Sequence, residues 1–393
     1  MEKQRICVIG GGLSGLITTI ALNRLNLSVD LFANNFYDDY ESLRTTAISQ
    51  SNYIYLKKLN IFKSQKIKEL WPCDKMKLYG TNLNSKSEKI LNFDNSDKKN
   101  NILYMITNKK IIGIMKKEIK KNSKIKIISN SKVKNIFSSE GLKLVQTCDK
   151  KKYKYNLVLL CTGKNSYLTK QFIGKNYYSH PYNETSIIMN INHAKTENNV
   201  ARQFFLKEGP LALLPISNFK TSVVWTVKNS VLKEKNKIGS SFIKKNLPNL
   251  IEDIYKSIKF SNNIEYSDLN FYFSHKLLGD RVLLFGDASH SIHPFAGQGF
   301  NMIIRDLKKL EQVIDKKINL GLDVGNSPIL YEFIDETKSS NFIYSTSIEI
   351  IKKIFTNYDP KINSFRNYYL RKLNSNNIVK NFFVKIADEG INL

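Results

Sequence analysis

Apolar and polar positions near the start of the chain follow the pattern of a strand, a helix and a second strand. Ile6 to Ile9 form an apolar run of strand length, and Leu13 to Leu25 show the spacing of an amphipathic helix. Ser28 to Phe32, with Val29, Leu31 and Phe32 as apolar positions, have the length of a second strand. Strands and helices differ in the period of their buried positions, so these runs can be assigned by spacing. The pattern predicts a βαβ unit.

Much later in the chain, a second passage predicts a strand, a loop and a long helix. Val282 to Phe285 are apolar and of strand length, and a helix begins near Gly297. Its apolar positions fall on one stripe, which is typical of a helix that buries one face. The stripe consists of Phe300, Ile303, Leu307, Leu310 and Ile314. Asp287, in the loop, is therefore expected just beyond the end of a strand.

Glycines at GxGxxG spacing stand between the first strand and its helix. We expect Gly10 to make the tight turn, Gly12 to let a pyrophosphate reach the backbone, and Gly15 to allow close packing of helix and strand. The N–H groups at the start of the helix would then bind the phosphates. The sequence predicts a dinucleotide site, although the acidic residue that usually binds ribose after the second strand is replaced by Ala-Asn-Asn at 33–35. This passage leaves the choice between NAD and FAD open.

The stretch GDASHSIHPFAGQGFNMIIRD, residues 286–306, admits three kinds of site: a metal centre, a catalytic acid–base pair or the cradle of a large cofactor. A metal centre needs at least three ligands, and this stretch supplies only the HxxH pair His290 and His293. Acyl transfer needs an activated serine, and the sequence has no GxSxG motif. We therefore expect a cofactor cradle and no metal, with both histidines forming hydrogen bonds that structure the loop.

Length and cysteine usage indicate the class of protein. A chain of 393 residues predicts two packed domains. The four cysteines are scattered without CxxC spacing, which indicates a reducing compartment and no structural disulfide. The first apolar run starts too early for a signal peptide, and no apolar run approaches the roughly 18 residues of a membrane span. We expect a cytoplasmic protein.

The net charge of +27 has three candidate explanations. Lys, Asn and Ile are abundant throughout, as expected from A/T-rich codons combined with solvated lysine surfaces. An anionic membrane surface is a second explanation, because each lysine near such lipids gains roughly 1 kcal/mol. Nucleic acid is not expected as a partner, since the lysines are dispersed and no recognition module is visible.

Together the two glycine-containing passages resemble the FAD-dependent aromatic monooxygenases of the para-hydroxybenzoate hydroxylase type, and within them the UbiH/Coq6-type hydroxylases of ubiquinone biosynthesis. That family's signature is HP, an aliphatic residue, a small residue and GQGxNxGxxD. Residues 293–306 match it, with Phe295 in place of the aliphatic residue and Ile303 in place of a glycine. GPLALLPISNFKTSVVWTV, residues 209–227, resembles a strand pair of the family's substrate domain, and FRNYYLRKL is similar to its C-terminal end.

The resemblance implies an α/β fold in which a GxGxxG, Rossmann-like FAD domain is interleaved with a β-rich substrate domain, as in para-hydroxybenzoate hydroxylase. The expected boundaries are 1–71, 101–178 and 275–341 for the FAD domain, 72–100 and 179–274 for the substrate domain, and 342–393 for a C-terminal helical segment.

The resemblance also implies which residues hold FAD. The pyrophosphate would be held by Gly10, Gly12, Leu13, Ser14, Gly15 and Arg44. Asn108 would contact the flavin through its amide, and Val133 would contact the adenine through its backbone. Asp287, directly after Gly286, would bind the ribitol. The isoalloxazine would be wrapped by the segment from Pro294 to Asn301, which includes Gly297, Gln298, Gly299 and Phe300.

In enzymes of this type FAD supplies the difficult chemistry, because its reduced form activates O₂ for transfer of one oxygen to an activated ring carbon. The protein positions the phenol and excludes water, so we assign no catalytic residue. The implied partners are a polyprenylated phenolic substrate, O₂, and NADPH or NADH as electron donor. The strands around Leu211 to Pro215 and Val223 to Thr226 are expected to face the substrate.

The chain departs from the family pattern at Thr162–Gly163, where the family has an Asp–Gly pair linked to FAD and NAD(P)H. A neutral hydroxyl there favours a reductase or ferredoxin partner, attracted by the basic surface, as a second candidate electron donor. The C-terminal segment IEIIKKIFTNYDPKINSFRNYYLRKL interleaves apolar and basic residues as an interfacial helix does, and its apolar residues alternatively pack on the FAD domain.

Two other functions stay open at this point. One is a flavoprotein that reduces isoprenoid double bonds, and the other is a non-catalytic flavoprotein that organises a lipid-pathway complex.

Overall fold

The computed structural model describes residues 3–62, 70–81, 87–94, 101–232, 235–293, 297–356, 359, 366, 368–370, 372 and 376–390. The strands are β1 (Arg5–Ile9), β2 (Ser28–Phe32), β3 (Thr45–Ser49), β4 (Trp71–Cys73), β5 (Lys75–Thr81), β6 (Ser87–Asp94), β7 (Leu103–Thr107), β8 (Ile125–Ile128), β9 (Val133–Ser139), β10 (Leu142–Thr147), β11 (Lys152–Tyr155), β12 (Leu157–Leu160), β13 (Tyr177–Asn192), β14 (Val200–Leu206), β15 (Gly209–Ser217), β16 (Lys220–Lys228), β17 (Lys259–Ser274), β18 (Leu278–Gly279), β19 (Val282–Leu284) and β20 (His290–Ser291). The helices are α1 (Leu13–Asn23), α2 (Gln50–Lys58), α3 (Asn108–Lys121), α4 (Tyr167–Ile173), α5 (Lys235–Ile251), α6 (Gln298–Asn319), α7 (Ser327–Thr356) and α8 (Asn377–Glu389).

The first domain is built on a six-stranded sheet in the order β18-β19-β12-β1-β2-β8, in which all neighbours except β18 and β19 run parallel. The central strands β12 and β19 are apolar on both faces because both faces are covered. In β1, Ile6 and Val8 pack in the cluster that includes α1, α3 and α6, while Cys7 and Ile9 pack toward the small sheet β11-β10-β9. The alternation of neighbouring residues thus builds two cores from one strand.

The second domain is an eight-stranded sheet in the order β20-β17-β13-β16-β15-β14-β5-β6. One face buries Ile187, Leu213 and Trp225 against Ile243 and Leu247 of α5. The opposite face meets the first domain. A third sheet, in the order β3-β7-β4, contacts both domains: β3 packs on α6, and β7 and β4 pack on β15.

The interleaving expected from the sequence is observed, since the parallel sheet is assembled from widely separated segments. The expected boundaries do not all coincide with breaks in the structure. Strand β13 starts before residue 179, and β20 joins the substrate sheet from within the predicted FAD segment 275–341. The boundary at 341/342 falls inside α7, because one continuous helix packs on both α6 and β14. No described helix is both long and apolar enough to cross a membrane.

Candidate active site

The three N-terminal glycines have different steric surroundings. Gly10 has φ +134°, and a Cβ there would lie 2.4 Å from the carbonyl oxygen of Cys161. A Cβ on Gly15 would lie 1.9 Å from the carbonyl oxygen of Gly10, so helix α1 starts directly against the turn. A Cβ on Gly12 would meet nothing within 4 Å. Only at Gly12 does the missing side chain leave open space, which fits a phosphate approaching the backbone.

The start of α1 is arranged to bind an anion. No side chain caps the helix at Gly12. The first N–H groups of a helix have no partner within the helix, and the helix dipole favours negative charge there. The first turn therefore offers donors to a pyrophosphate.

Asp287 meets this helix start because β19, β12 and β1 are neighbours in the sheet and their carboxyl ends share one edge. Ser14 Oγ donates a 3.3 Å hydrogen bond to Asp287 Oδ2. Gly286 has φ +68°, and a Cβ there would lie 2.6 Å from the Ser14 side chain, so this close approach requires glycine. Burial raises the pKa of Asp287, although His290, Ser14, Arg44 and Lys164 act in the opposite direction.

Two cavities meet at Asp287. The larger has a volume of about 850 Å³ and runs from the glycine turn to Val133 on β9. The smaller has a volume of about 290 Å³ and lies between the two domains, beside the start of α6. Asp287 lines both cavities and is exposed to them, while its neighbours Gly286 and Ala288 are buried. A long cofactor can therefore lie across both cavities, with Asp287 at its middle.

The larger cavity has acidic residues that the sequence analysis did not assign. Asn34 and Asn35 line it, and so do Asp38, Asp39 and Glu41 from the following loop. A carboxylate for ribose is thus available a few residues beyond the usual position. The acidic cluster in YDDYE is the signal that could have predicted it.

The smaller cavity has a mostly apolar lining contributed by both domains. From the substrate sheet, Ala212, Leu214 and Val224 face it, as expected for β15 and β16. The other apolar residues that line it include Leu13, Ala47, Met76, Leu103, Met105, Ile188, Ala201, Leu269, Ile292, Phe300 and Ile303.

Most of the predicted site residues line one of the two cavities. Those that do are Gly10, Gly12, Leu13, Ser14, Arg44, Asn108, Val133, Asp287, Gly297, Gly299 and Phe300. Gly15 and Gly286 act through close packing. Pro294 lies outside the described residues.

Two residues of the GQGxN motif use their side chains within the protein. Gln298 Oε1 accepts a 2.9 Å hydrogen bond from the Tyr344 hydroxyl. Asn301 Nδ2 donates to the Ala47 carbonyl, and its Oδ1 accepts from the Ser49 N–H and from Asn52. Asn301 therefore fixes the start of α6 against β3 and α2, and its amide is not available to a flavin.

Arg44 and Asn108 lie side by side where β7 ends and α3 begins. The Asn108 N–H donates to the Arg44 carbonyl at 2.9 Å. Asn108 Oδ1 accepts a 2.6 Å hydrogen bond from Thr46, so Nδ2 is the group that Asn108 can offer to the cavity. The Arg44 guanidinium forms an ion pair with Glu265 on β17, at 2.6 Å.

The two histidines form the loop-structuring hydrogen bonds that the sequence analysis expected. His290 Nε2 lies 3.0 Å from Asp306 Oδ2, which explains the final aspartate of the motif. His293 Nε2 lies 3.2 Å from Glu184 Oε2, and the same oxygen lies 2.8 Å from Lys352 Nζ. Burial lowers the pKa of His293, so the ring is neutral and donates to the carboxylate. In the described part of the chain, no three candidate ligands cluster as a metal site would require.

The buried state of His293 predicts how stability changes with pH. Because its pKa is lowered in the folded protein, the unfolded chain binds a proton first as pH falls below about 6.5. We expect the melting temperature to drop between pH 7.5 and pH 5.5, and His293→Gln to reduce that drop by about 1–3 °C. Differential scanning calorimetry of both proteins measures this. An identical drop in the variant would show that His293 does not titrate as described.

Thr162 lines the larger cavity between β12 and α4. Its Oγ1 lies 2.9 Å from the Thr169 hydroxyl, and Gly163 has φ +76°. The glycine thus makes a turn with positive φ, and the side chain before it is a neutral hydroxyl instead of the family's carboxylate.

Comparison with known proteins identifies the cofactor that this geometry fits. A family model described as an FAD binding domain matches residues 161–319. The mitochondrial ubiquinone biosynthesis monooxygenase COQ6 of Dictyostelium discoideum is 26% identical over 97% of this chain and 90% of its own length. The 3-demethoxyubiquinol 3-hydroxylase of Escherichia coli (strain K12) is 21% identical over 98% of each chain. The protein is an FAD-dependent monooxygenase, and it resembles the UbiH/Coq6 type over nearly its whole length.

The fold of this monooxygenase also matches solved structures. The p-nitrophenol 4-monooxygenase PnpA from Pseudomonas putida DLL-E4 superposes with a TM-score of 0.80 over the whole of both chains, at 15% identity. This likeness confirms the predicted fold class, and the match to the FAD binding domain confirms the predicted FAD cofactor. When bound, FAD supplies the activation of O₂. The protein contributes the anion site at α1, the carboxylate of Asp287, and a cavity from which apolar side chains exclude water.

Proposed function

We propose that this monooxygenase hydroxylates the aromatic ring of a polyprenylated phenol in ubiquinone biosynthesis. The names of the two relatives support this substrate class. The observation that carries the proposal is the chemistry of the smaller cavity. Its lining is mostly apolar, although Arg44, Arg202 and Asp287 also line it, and it contains a few buried polar side-chain atoms with no hydrogen-bond partner among the described residues.

Those polar atoms fit a ring that carries oxygen substituents. Ser186 is 2% exposed and lines the smaller cavity, and its Oγ has no hydrogen-bond partner within the described residues. Thr45, on the FAD domain, lines the same cavity, and its Oγ1 is also buried without a hydrogen-bond partner among the described residues. An unsatisfied buried hydroxyl costs about 1–3 kcal/mol. A phenol or quinol oxygen would remove that cost, and the apolar lining suits the ring and the first prenyl unit.

Oxygen consumption distinguishes this function from the two alternatives. The FAD-loaded enzyme with a reductant and a polyprenylated phenol is expected to consume O₂ faster than without the phenol, because substrate binding completes the site. An enzyme that reduces isoprenoid double bonds would consume the reductant without O₂, and a non-catalytic flavoprotein would respond to neither. Substrate-independent O₂ uptake would count against the proposal.

We also propose that the protein is cytoplasmic and binds peripherally to the inner face of an anionic membrane through α7. One face of this helix packs inward, with Tyr344, Ile348 and Phe355 in a core cluster. Ile343, Ile350 and Ile354 are exposed at spacings of seven and four residues, which lie on one helix face, and Lys353 is exposed beside them. One face of α7 therefore packs on the protein, and the other face is available for a membrane surface. Much of residues 357–375 lies outside the described residues.

Liposome flotation tests the membrane proposal. We expect the protein to float with vesicles that contain anionic lipid at low salt, and Ile350→Ser with Ile354→Ser to reduce the floating fraction several-fold. Each buried CH₂ contributes about 0.8 kcal/mol to such binding. Val231→Ser, at an exposed apolar residue distant in sequence, is the matched control. No flotation of the unmodified protein at low salt would reject the proposal.

For electron delivery, we propose that NADPH alone reduces the flavin slowly and that a reductase or ferredoxin partner reduces it faster. Thr162 supports this, because a hydroxyl paired with Thr169 cannot replace the charge of a carboxylate. The net charge of +27 would attract an acidic partner.

Anaerobic stopped-flow absorbance, with the phenolic substrate present, measures flavin reduction by NADPH. We expect Thr162→Asp to accelerate it about tenfold or more, because one charge-assisted contact is worth about 1.5–3 kcal/mol. Rapid, saturable reduction of the unmodified enzyme by NADPH alone, without improvement in the variant, would remove the reason for a partner.

A further inference from the structure

Strand β17 of the substrate domain contributes one carboxylate to the loop that precedes β3 in the FAD domain. Glu265 Oε1 accepts a 2.6 Å hydrogen bond from Arg44 Nε. Glu265 Oε2 accepts from the Leu43 N–H at 3.1 Å and from Ser42 Oγ at 3.0 Å. A single side chain therefore holds three consecutive residues of another domain.

The contact leaves the phosphate-binding part of Arg44 available. Glu265 takes the Nε donor, and no hydrogen bond joins either Nη to another of the described residues. A guanidinium presents its donors in a planar fork, so fixing Nε fixes the direction in which both Nη groups point. The Arg44 side chain is 47% exposed and lines the smaller cavity close to Asp287, where the two cavities meet.

We propose that Glu265 is a positioning residue for FAD, which acts by holding residues 42–44 so that Arg44 presents both Nη groups to the pyrophosphate. The FAD site is thereby completed by a strand of the substrate domain. This inference depends on FAD binding and not on the identity of the phenolic substrate. It is therefore tested separately from the proposed reaction.

The Glu265 carboxylate has two opposing effects on FAD binding. Their relative sizes decide whether its removal weakens or strengthens that binding. Its negative charge lowers the attraction of Arg44 for a phosphate. That attraction is screened, because the arginine is half exposed and charges in contact with solvent interact weakly. Ordering the loop and the guanidinium before the cofactor arrives removes an entropic cost of binding. The ordering effect is therefore the larger, and removal of Glu265 weakens FAD binding.

The same strand also reaches the substrate side of the cavity. Glu265 pairs in register with Ile188, and Ser267, two residues further along β17, pairs with Ser186. Ile188, Ser267 and Ser186 all line the smaller cavity. A displacement of β17 when the cavity fills would therefore be transmitted to Arg44.

Flavin titration of the full chain, stripped of its cofactor, tests the role of Glu265. Quenching of flavin fluorescence gives the dissociation constants of FAD and of riboflavin, which carries the isoalloxazine and ribitol but no phosphate. We expect Glu265→Ala to weaken FAD about tenfold and to leave riboflavin unchanged. In Arg44→Ala the further change Glu265→Ala should have no additional effect. Asn263→Ala, at an exposed position of the same strand, is the matched control.

Three results would overturn the inference. Equal weakening of FAD and riboflavin would show a general structural role. Unchanged or tighter FAD binding would show that Glu265 competes with the phosphates for Arg44. Additive losses in the double variant would show that Glu265 does not act through Arg44. If Glu265→Ala does not fold, Glu265→Gln keeps the size of the side chain and is subject to the same three criteria.

Discussion

Gly12→Val is expected to give a folded protein that does not retain FAD. Gly12 has φ −83° and ψ −176°, an extended conformation that valine adopts readily. Nothing lies within 4 Å of its Cβ position, so the valine side chain would fill the space where the phosphate meets the backbone. Loss of two charge-assisted hydrogen bonds, at about 1.5–3 kcal/mol each, predicts a dissociation constant at least about 100-fold higher. Flavin absorbance per mole of purified protein measures the loss.

Gly15→Ala is the matched control for this substitution. Its Cβ would lie 1.9 Å from a backbone oxygen that cannot move aside, so we expect a loss of stability of about 1–3 kcal/mol. The two variants thus separate binding from folding within one motif. Stoichiometric FAD in Gly12→Val would show that the pyrophosphate does not lie at this turn.

Asp287→Ala is expected to abolish FAD retention without lowering the melting temperature of the cofactor-free protein. We expect the carboxylate to accept a hydrogen bond from a ribitol hydroxyl, and loss of that bond lowers the affinity. In the cofactor-free protein Asp287 is exposed to the two cavities, so its charge contributes little to stability and its removal costs little.

Two measurements check this prediction. Flavin content reports binding, and the melting temperature of stripped protein reports stability. Asp287→Asn keeps the shape of the side chain and is expected to retain weak FAD binding. A cofactor-free Asp287→Ala protein that melts clearly below the unmodified one would show that Asp287 supports the fold and does not act only on the cofactor.

Local patterns predicted the elements that carry the site. The expected strand and helix around Gly12 appear as β1 and α1, and the apolar stripe of α6 is buried as its spacing indicated. Period and glycine spacing are local properties of the chain, and burial against a neighbouring layer preserves them. The resemblance then supplied the positions of Arg44, Asn108 and Asp287, all of which line the cavities.

What the sequence did not predict depends on contacts between distant residues. Glu265 lies 221 positions from Arg44, and nothing in its neighbourhood along the chain marks it as part of a cofactor site. The use of the Asn301 amide for Ala47 and Ser49 follows from the packing of α6 on β3, which no motif records. The sequence also did not predict that one helix, α7, spans the expected domain boundary at 341/342. Its apolar residues lie on two faces of the helix, and this obscures the helical period.

The proposed reaction places one atom of O₂ on the ring of a polyprenylated phenol. Incubation of the FAD-loaded enzyme with a reductant, ¹⁸O₂ and such a phenol, followed by mass spectrometry of the extracted lipid, tests it most directly. The account predicts a product that is heavier by one ¹⁸O atom on the ring and is absent in Gly12→Val. A hydroxylated product without the label, a product hydrogenated in its prenyl chain, or no product with stoichiometric FAD bound would contradict it.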